Sequence, residues 1–151
     1  MTEIGLFLED LSVGQKFTSD THTLDATQIK AFAQQFDPQP FHLDDAAAKE
    51  TFFGGLAASG WHTAAITMKL LATTRPGIAG GLIGGGGEIT WPQATRPGDI
   101  LQVTSEILEI KPSRSRPERG MAIMRSETRN QHGDIVQIHT SKLVVPKRNP
   151  G

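Results

Sequence analysis

The chain has 151 residues, a length typical of one domain and sufficient to bury an ordinary core. It contains no cysteine, which excludes disulfides, thiolate metal sites and a cysteine nucleophile. Fifteen basic and sixteen acidic residues leave a net charge of −1, so no basic surface for nucleic acid is expected.

No apolar run approaches the roughly 18 residues that a membrane-spanning helix needs. The first residues, MTEIGLFLEDL, carry acidic side chains early and lack the basic segment of a secretory signal. We therefore expect a soluble cytoplasmic protein in which residues 1–151 form a single domain, with no membrane or nucleic-acid partner.

The first predicted elements are a short strand at residues 16–22 and a helix that begins after Asp25. Asp25 is a good N-cap, and Gln28 occupies the capping-box position. The apolar residues that follow recur at helical spacing and form one face: Ile29, Phe32, Ala33 and Phe36. The helix is predicted to end at Asp37-Pro38.

The next segment, Phe36-Asp37-Pro38-Gln39-Pro40-Phe41-His42, places a carboxylate and an imidazole on a stretch stiffened by two prolines. Proline disfavours helical geometry for the preceding residue, so Asp37 and Gln39 are pushed towards extended geometry. On a regular strand Asp37 and His42 would face opposite sides, but a turn can bring them together. We interpret the segment as a fixed loop that presents an acid–base pair to one point.

A short helix is predicted from Asp44 to Lys49, followed by a loop. The strongest helix signal spans residues 59–73, with Ser59 as N-cap and Arg75-Pro76-Gly77 as its end. Apolar residues surround so much of this helix that we expect it to be buried. They are Trp61, Ala64, Ala65, Ile66, Met68, Leu70, Leu71 and Ala72.

The second half of the chain predicts four strands, at residues 87–95, 100–111, 120–130 and 134–145. Arg96-Pro97-Gly98-Asp99 has proline and glycine where a type II turn requires them. Helices segregated from a meander of antiparallel strands predict the α+β class. The arrangement is a hot-dog fold, with a curved antiparallel sheet wrapped around one long buried helix at about residues 59–74.

Two runs of residues carry a resemblance to a known family. Phe-Asp-Pro-Gln-Pro-Phe-His-Leu-Asp at residues 36–44, followed by Ala-Ser-Gly-Trp-His-Thr-Ala at 58–64, resembles the MaoC-like dehydratases. These hot-dog proteins include the (R)-specific enoyl-CoA hydratases. The residues that match the family motif in spacing and type are Asp37, Pro40, Phe41 and His42. Two positions depart from the pattern: Gln39 replaces the usual asparagine, and Ala65 replaces the serine of (R)-hydratases.

The resemblance implies a hydro-lyase that acts on 2-enoyl or 3-hydroxyacyl thioesters linked to CoA, with no further cofactor. Asp37 would be the base that holds the water and His42 the proton donor, and the reverse assignment stays open. The plainer alternatives are that Asp37 only ends a helix and that His42 only bonds backbone at the edge of the core.

The start of the long helix offers unpaired backbone N–H groups and a positive dipole. By this argument and by the resemblance, we assign the Gly60 N–H as the donor to the enolate-like oxygen. The alternative is that Gly60 only permits tight packing. Ser59 is interpreted as a cap rather than a nucleophile, and Ser59, Trp61 and His62 are candidate substrate contacts.

Three further candidate sites are weaker. The glycines at 84–87 lack the context of a phosphate loop, and we expect a flexible start of a strand that leaves room near Gly86 for an acyl chain or the pantetheine arm. Arg114 and Arg116 are candidates for the CoA phosphates, although such a charged loop is usually only solvated. His42 and His62 fit no tight metal motif, so no metal site is expected.

Two other functions remain open. One is a hot-dog thioesterase, which would hydrolyse the same class of thioester. The other is a non-catalytic acyl-CoA-binding domain, which the departures at Gln39 and Ala65 favour. Because joined sheets protect an exposed edge strand, we expect a homodimer or a dimer of dimers.

Overall fold

The computed structural model describes residues 5–148. Its five strands are β1 (Lys16–Thr23), β2 (Ile83–Thr90), β3 (Ile100–Pro112), β4 (Arg119–Arg129) and β5 (Ile135–Pro146). They form one antiparallel sheet in the order β1-β3-β4-β5-β2, so β1 and β2 are its edges. The helices are α1 (Ala26–Phe36), α2 (Pro40–Leu43), α3 (Asp45–Lys49) and α4 (Gly60–Ala72).

This architecture confirms the predicted α+β class, and four of the five predicted strands agree with the structure to within one residue. The strand predicted at residues 87–95 was misplaced and lies at Ile83–Thr90. The glycine run belongs to the strand because a Cβ at Gly87 would collide with the Thr140 carbonyl oxygen of β5. Edge strand β2 has mostly exposed positions, so it lacks the alternating pattern that marks a half-buried strand.

Helix α4 begins where expected, since the Ser59 hydroxyl accepts a hydrogen bond from the Trp61 N–H. It is buried along one face only, formed by His62, Thr63, Ile66, Thr67 and Leu70. Trp61 and Met68, which the apolar pattern placed among the buried residues, are 60% and 45% exposed. Threonines face the sheet instead, so hydropathy alone could not identify the buried face.

Two pairs of buried hydroxyls join α4 to the sheet side of the molecule. Thr63 Oγ1 donates to Thr95 Oγ1 at 3.0 Å, and Thr67 Oγ1 lies 2.7 Å from Thr128 Oγ1 on β4. On the same buried face, α4 contributes Ile66 and Leu70 to an apolar cluster that also contains Leu24, Ile29, Leu56, Leu101, Val103 and Val136. These contacts hold α4 against β3, β4 and β5.

A second apolar cluster lies at the other end of the sheet and is covered by the 3-10 turn Leu8–Asp10. Its members are Leu8, Leu11, Ile107, Ala122, Met124, Leu143 and Val145. The tight turn before β3 has the predicted form, because Gly98 has a φ of +91° and the Asp99 N–H donates to the Arg96 carbonyl. Across residues 5–148, no helix is both long and apolar enough to span a membrane.

Candidate active site

The segment with the two prolines folds into a bend between α1 and α2. Helix α1 ends as expected, with the Asp37 N–H donating to the Ala33 carbonyl. Pro40 occupies the first turn of α2, where its missing N–H costs nothing. The predicted loop is therefore a single helical turn after an extended Gln39, and this turn carries His42 back towards Asp37.

The two side chains meet: His42 Nε2 lies 3.4 Å from Asp37 Oδ2. The other ring nitrogen, Nδ1, lies 2.6 Å from the Ala57 carbonyl oxygen. Because a carbonyl oxygen can only accept a hydrogen bond, Nδ1 must carry a proton. This fixes the orientation of the ring and leaves Nε2 as the atom that faces the carboxylate.

Asp37 is held by two donors. The Ser59 hydroxyl donates to Oδ2 at 2.6 Å, and the Gln39 side-chain amide donates to Oδ1. Burial raises the pKa of Asp37, but these two hydrogen bonds and the neighbouring His42 outweigh it and bring the pKa below its ordinary value. Asp37 is therefore ionised at neutral pH, and Gln39 makes a contact that a shorter amide would make from a different position.

Ser59 is the predicted cap of α4, and its hydroxyl has a second partner. Its side chain is fully buried, and its hydroxyl is used twice, as donor to Asp37 and as acceptor from the Trp61 N–H. It therefore positions the carboxylate and caps α4, and it is not among the residues that line the cavity described next.

A cavity of about 300 Å³, which we call the active-site cavity, opens beside the imidazole. Its walls include His42, Phe53, Gly60, Thr63, Trp91 and Thr95, while Asp37 lies one contact behind His42. Among the described residues, the Gly60 N–H has no hydrogen-bond acceptor, which keeps it available to a ligand. Packing also requires this glycine, since a Cβ here would lie 2.7 Å from an indole carbon of Trp91.

The Ala57 carbonyl, which accepts the hydrogen bond from His42 Nδ1, belongs to a segment held by hydrogen bonds on both sides. Ala57 donates its N–H to the Phe41 carbonyl, and Ala58 donates to the Thr95 carbonyl. The Arg96 guanidinium donates to three carbonyl oxygens of the same segment, those of Phe53, Gly55 and Leu56. Sequence reasoning assigned Arg96 only to a turn, because nothing in the local pattern shows that its side chain reaches back across the fold.

The structure does not bring His62 into this cavity. Its ring stacks on Phe32 of α1, with centroids 4.5 Å apart and planes 2° from parallel, and its Nδ1 is buried without a hydrogen bond among residues 5–148. Burial, with a smaller contribution from the charge of His22, lowers the pKa of His62 to about 4. His62 is therefore a neutral packing residue between α1 and α4.

Trp61 and Gly86 line a different hollow, between α4 and strands β2 and β5. Arg114 and Arg116 are remote from the dyad: they follow the far end of β3, whose 13 residues span about 40 Å from the turn beside the cavity. Both arginines are exposed and line none of the walls described above. In the part of the chain that the structure describes, no three His, Asp or Glu side chains are grouped to hold a metal ion.

Comparison with known proteins agrees with this geometry. The family model described as MaoC like domain matches residues 10–128. A 3-hydroxybutyryl-CoA dehydratase from Methylorubrum extorquens is 31% identical over 112 residues, which cover 74% of this chain and 69% of the relative.

Two solved structures are similar over most of their length. The MaoC-like dehydratase from Rhodospirillum rubrum superposes with a TM-score of 0.93 at 57% identity, covering 96% of this chain and 99% of that one. The R-hydratase PhaJ1 from Pseudomonas aeruginosa has a TM-score of 0.77 at 29% identity, covering 95% of this chain and 88% of that one.

Proposed function

The chain belongs to the MaoC-like domain family, and we propose that it adds water to, or removes it from, a 2-enoyl or 3-hydroxyacyl thioester of CoA. The observation that carries this proposal is the pairing of Asp37 and His42 beside the free Gly60 amide. The similarity to the 3-hydroxybutyryl-CoA dehydratase from Methylorubrum extorquens supports this reaction class, and the similarity to the R-hydratase from Pseudomonas aeruginosa supports it with (R) stereochemistry.

Hydration begins with a water that must be held and deprotonated. Asp37 is ionised, and its Oδ2 lies 3.4 Å from His42 Nε2, so one water can contact both atoms and donate a hydrogen to the carboxylate. In the proposed reaction, Asp37 accepts a proton from the water as the water oxygen adds to the β-carbon of the enoyl group.

The addition leaves negative charge on the thioester oxygen. We place that oxygen at the Gly60 N–H, where the start of α4 contributes its positive dipole. A proton then passes from the pair to the α-carbon. We assign His42 Nε2 as the delivering atom, because Asp37 takes the proton of the water and His42 lines the cavity. The steps balance with water as the only added reactant, and they call on no cofactor.

The proposal includes a homodimer, which can pair further into a dimer of dimers. Strand β2 is an edge of the sheet, and Ile83 on this strand is 54% exposed. The neighbouring face of α4 exposes Trp61 and Met68. A second copy joined along this edge would cover these side chains and the unpaired strand backbone. Analytical ultracentrifugation tests the assembly, and a purely monomeric protein would contradict it.

The test of the reaction follows the absorbance of the enoyl thioester during hydration of crotonyl-CoA. Asp37→Asn and His42→Ala should each lower kcat/KM by about 10²-fold or more, as lost acid–base groups do. Asp20→Asn and His132→Ala are matched controls, because both residues are exposed and lie outside the site. Unchanged rates in both site variants would remove Asp37 and His42 from the mechanism.

The same assay separates the alternatives. Release of free CoA thiol without loss of the double bond would indicate a thioesterase. Tight binding of acyl-CoA with neither product would indicate the non-catalytic domain.

A further inference from the structure

Beside the active-site cavity lies a second hollow, which we call the trough. It runs between α4 and strands β2 and β5 in two parts, of about 210 and 310 Å³. The two parts adjoin, because they share Met68, Leu71, Gly87 and His139 as walls. The active-site cavity has none of its lining residues in common with the trough.

Two tryptophans stand at this division. Trp91 lines the active-site cavity, and Trp61 lines the trough. Their rings are in contact, with centroids 5.2 Å apart and planes at 83°. Two residues one turn apart on α4 also lie on opposite sides of this boundary: Gly60 lines the active-site cavity and Ala64 lines the trough.

Trp91 is held in place from two sides. Its Nε1–H donates to Gln137 Oε1 at 3.0 Å, and Gln137 is 1% exposed on β5. The indole also lies flush against Gly60, where even a methyl group would collide with it. Although Trp91 is 38% exposed, its ring cannot rotate away without breaking this partly buried hydrogen bond.

We propose that Trp91 is a specificity-determining residue that closes the active-site cavity towards the trough and restricts the enzyme to short acyl chains. This inference rests on the proposed function. With the thioester oxygen at Gly60 and the β-carbon beside His42, an acyl chain that continues through the cavity meets the indole. Short chains end before that wall, and longer chains need the space on its other side.

The experiment compares kcat/KM for crotonyl-, hexenoyl- and octenoyl-CoA in the wild type and in Trp91→Ala. The wild type should prefer crotonyl-CoA. In Trp91→Ala, the ratio of octenoyl to crotonyl activity should rise at least ~10-fold, since each added methylene in an apolar pocket is worth that much or more. Trp91→Phe keeps an aromatic wall and serves as the matched control, with a smaller rise.

A second variant tests the same role of Trp91 if Trp91→Ala does not fold. Gln137→Met removes the acceptor that fixes the indole, keeps a side chain of similar volume, and should shift the profile in the same direction. A wild type that prefers octenoyl-CoA, or a chain-length profile unchanged in both Trp91→Ala and Gln137→Met, would overturn the role of Trp91. Absence of hydration with every enoyl-CoA in the wild type would instead overturn the proposed function, and the inference with it.

Discussion

The Ser59 hydroxyl donates to Asp37 Oδ2 at 2.6 Å, so the residue that caps α4 also holds the carboxylate at the end of α1. One side chain thereby links the start of the helix that carries the Gly60 amide to the group that pairs with His42. The position and the protonation of the carboxylate both depend on it.

Ser59→Ala should shift the pH dependence of the reaction. The hydrogen bond from Ser59 lowers the pKa of Asp37, so its loss raises that pKa. The ionised carboxylate is the active form, so activity falls as acid protonates Asp37. In Ser59→Ala this loss should occur at a higher pH than in the wild type. The acid limb of the kcat/KM profile measures this shift. Loss of the cap should also cost about 1 kcal/mol in the free energy of unfolding.

Ser113→Ala is the control for this prediction, because Ser113 also accepts a backbone N–H but lies on the distant loop after β3. An acid limb that stays in place in Ser59→Ala would show that Ser59 does not tune Asp37.

Arg96→Lys should disturb the tautomer of His42. The guanidinium binds three carbonyl oxygens in the segment that precedes Ala57, and a lysine ammonium cannot reproduce that fork. We expect the Ala57 carbonyl to shift, part of the His42 population to lose its proton on Nδ1, and kcat to fall by about 10²-fold. Nitrogen-15 NMR of the labelled imidazole reports which nitrogen is protonated.

Arg129→Lys is the control, since Arg129 bonds Glu127 and the Gly133 carbonyl away from the site. If His42 Nδ1 remains fully protonated in Arg96→Lys and kcat stays at the wild-type value, Arg96 does not position His42.

Gly60→Ala should destabilise the fold through a collision with Trp91. Overpacking of this kind costs about 1–3 kcal/mol in the free energy of unfolding. In a Trp91→Ala background the ring is absent, and most of the penalty should disappear. Urea unfolding of the two single variants and the double variant measures the coupling. Equal penalties in both backgrounds would contradict the contact.

His62 should make stability fall with acidity. Its pKa of about 4 in the folded protein lies below the ordinary 6.5, so between these values the unfolded chain binds a proton that the folded chain does not. Lowering the pH from 7 to 4.5 should therefore cost roughly 2 kcal/mol through this residue. His62→Phe preserves stacking on Phe32 and should lose that part of the acid sensitivity.

Urea unfolding at the two pH values gives the comparison, with His132→Phe as an exposed control. An identical loss of stability in the wild type and in His62→Phe would exclude His62 as the titrating group.

Strong local patterns gave the fold correctly. Asp25 and Ser59 cap their helices as predicted, because capping depends on a residue type and its distance from a few backbone N–H groups. The strands β3, β4 and β5 alternate buried positions with half-buried or exposed ones over most of their length, which makes their limits visible in the sequence. The glycines of β2 carry no such pattern, and that strand was misplaced.

The site was predictable only in part. Asp37 and His42 belong to one short segment, so two prolines and a family resemblance sufficed to pair them. Arg96 and Trp91 act through contacts with residues more than 30 positions away, at Gly55, Gly60 and Gln137. Such contacts arise from the tertiary fold and leave no local signal.

Two hydroxyl pairs, Thr63 with Thr95 and Thr67 with Thr128, fix the position of α4 along its own axis. A helix that slid by one residue would move about 1.5 Å along its axis, enough to break both bonds. The height of the Gly60 amide relative to His42 is therefore set one and two turns further along α4. A design that transfers Asp37 and His42 to another scaffold must therefore keep these threonine contacts, because without them the Gly60 amide would be displaced from the two side chains.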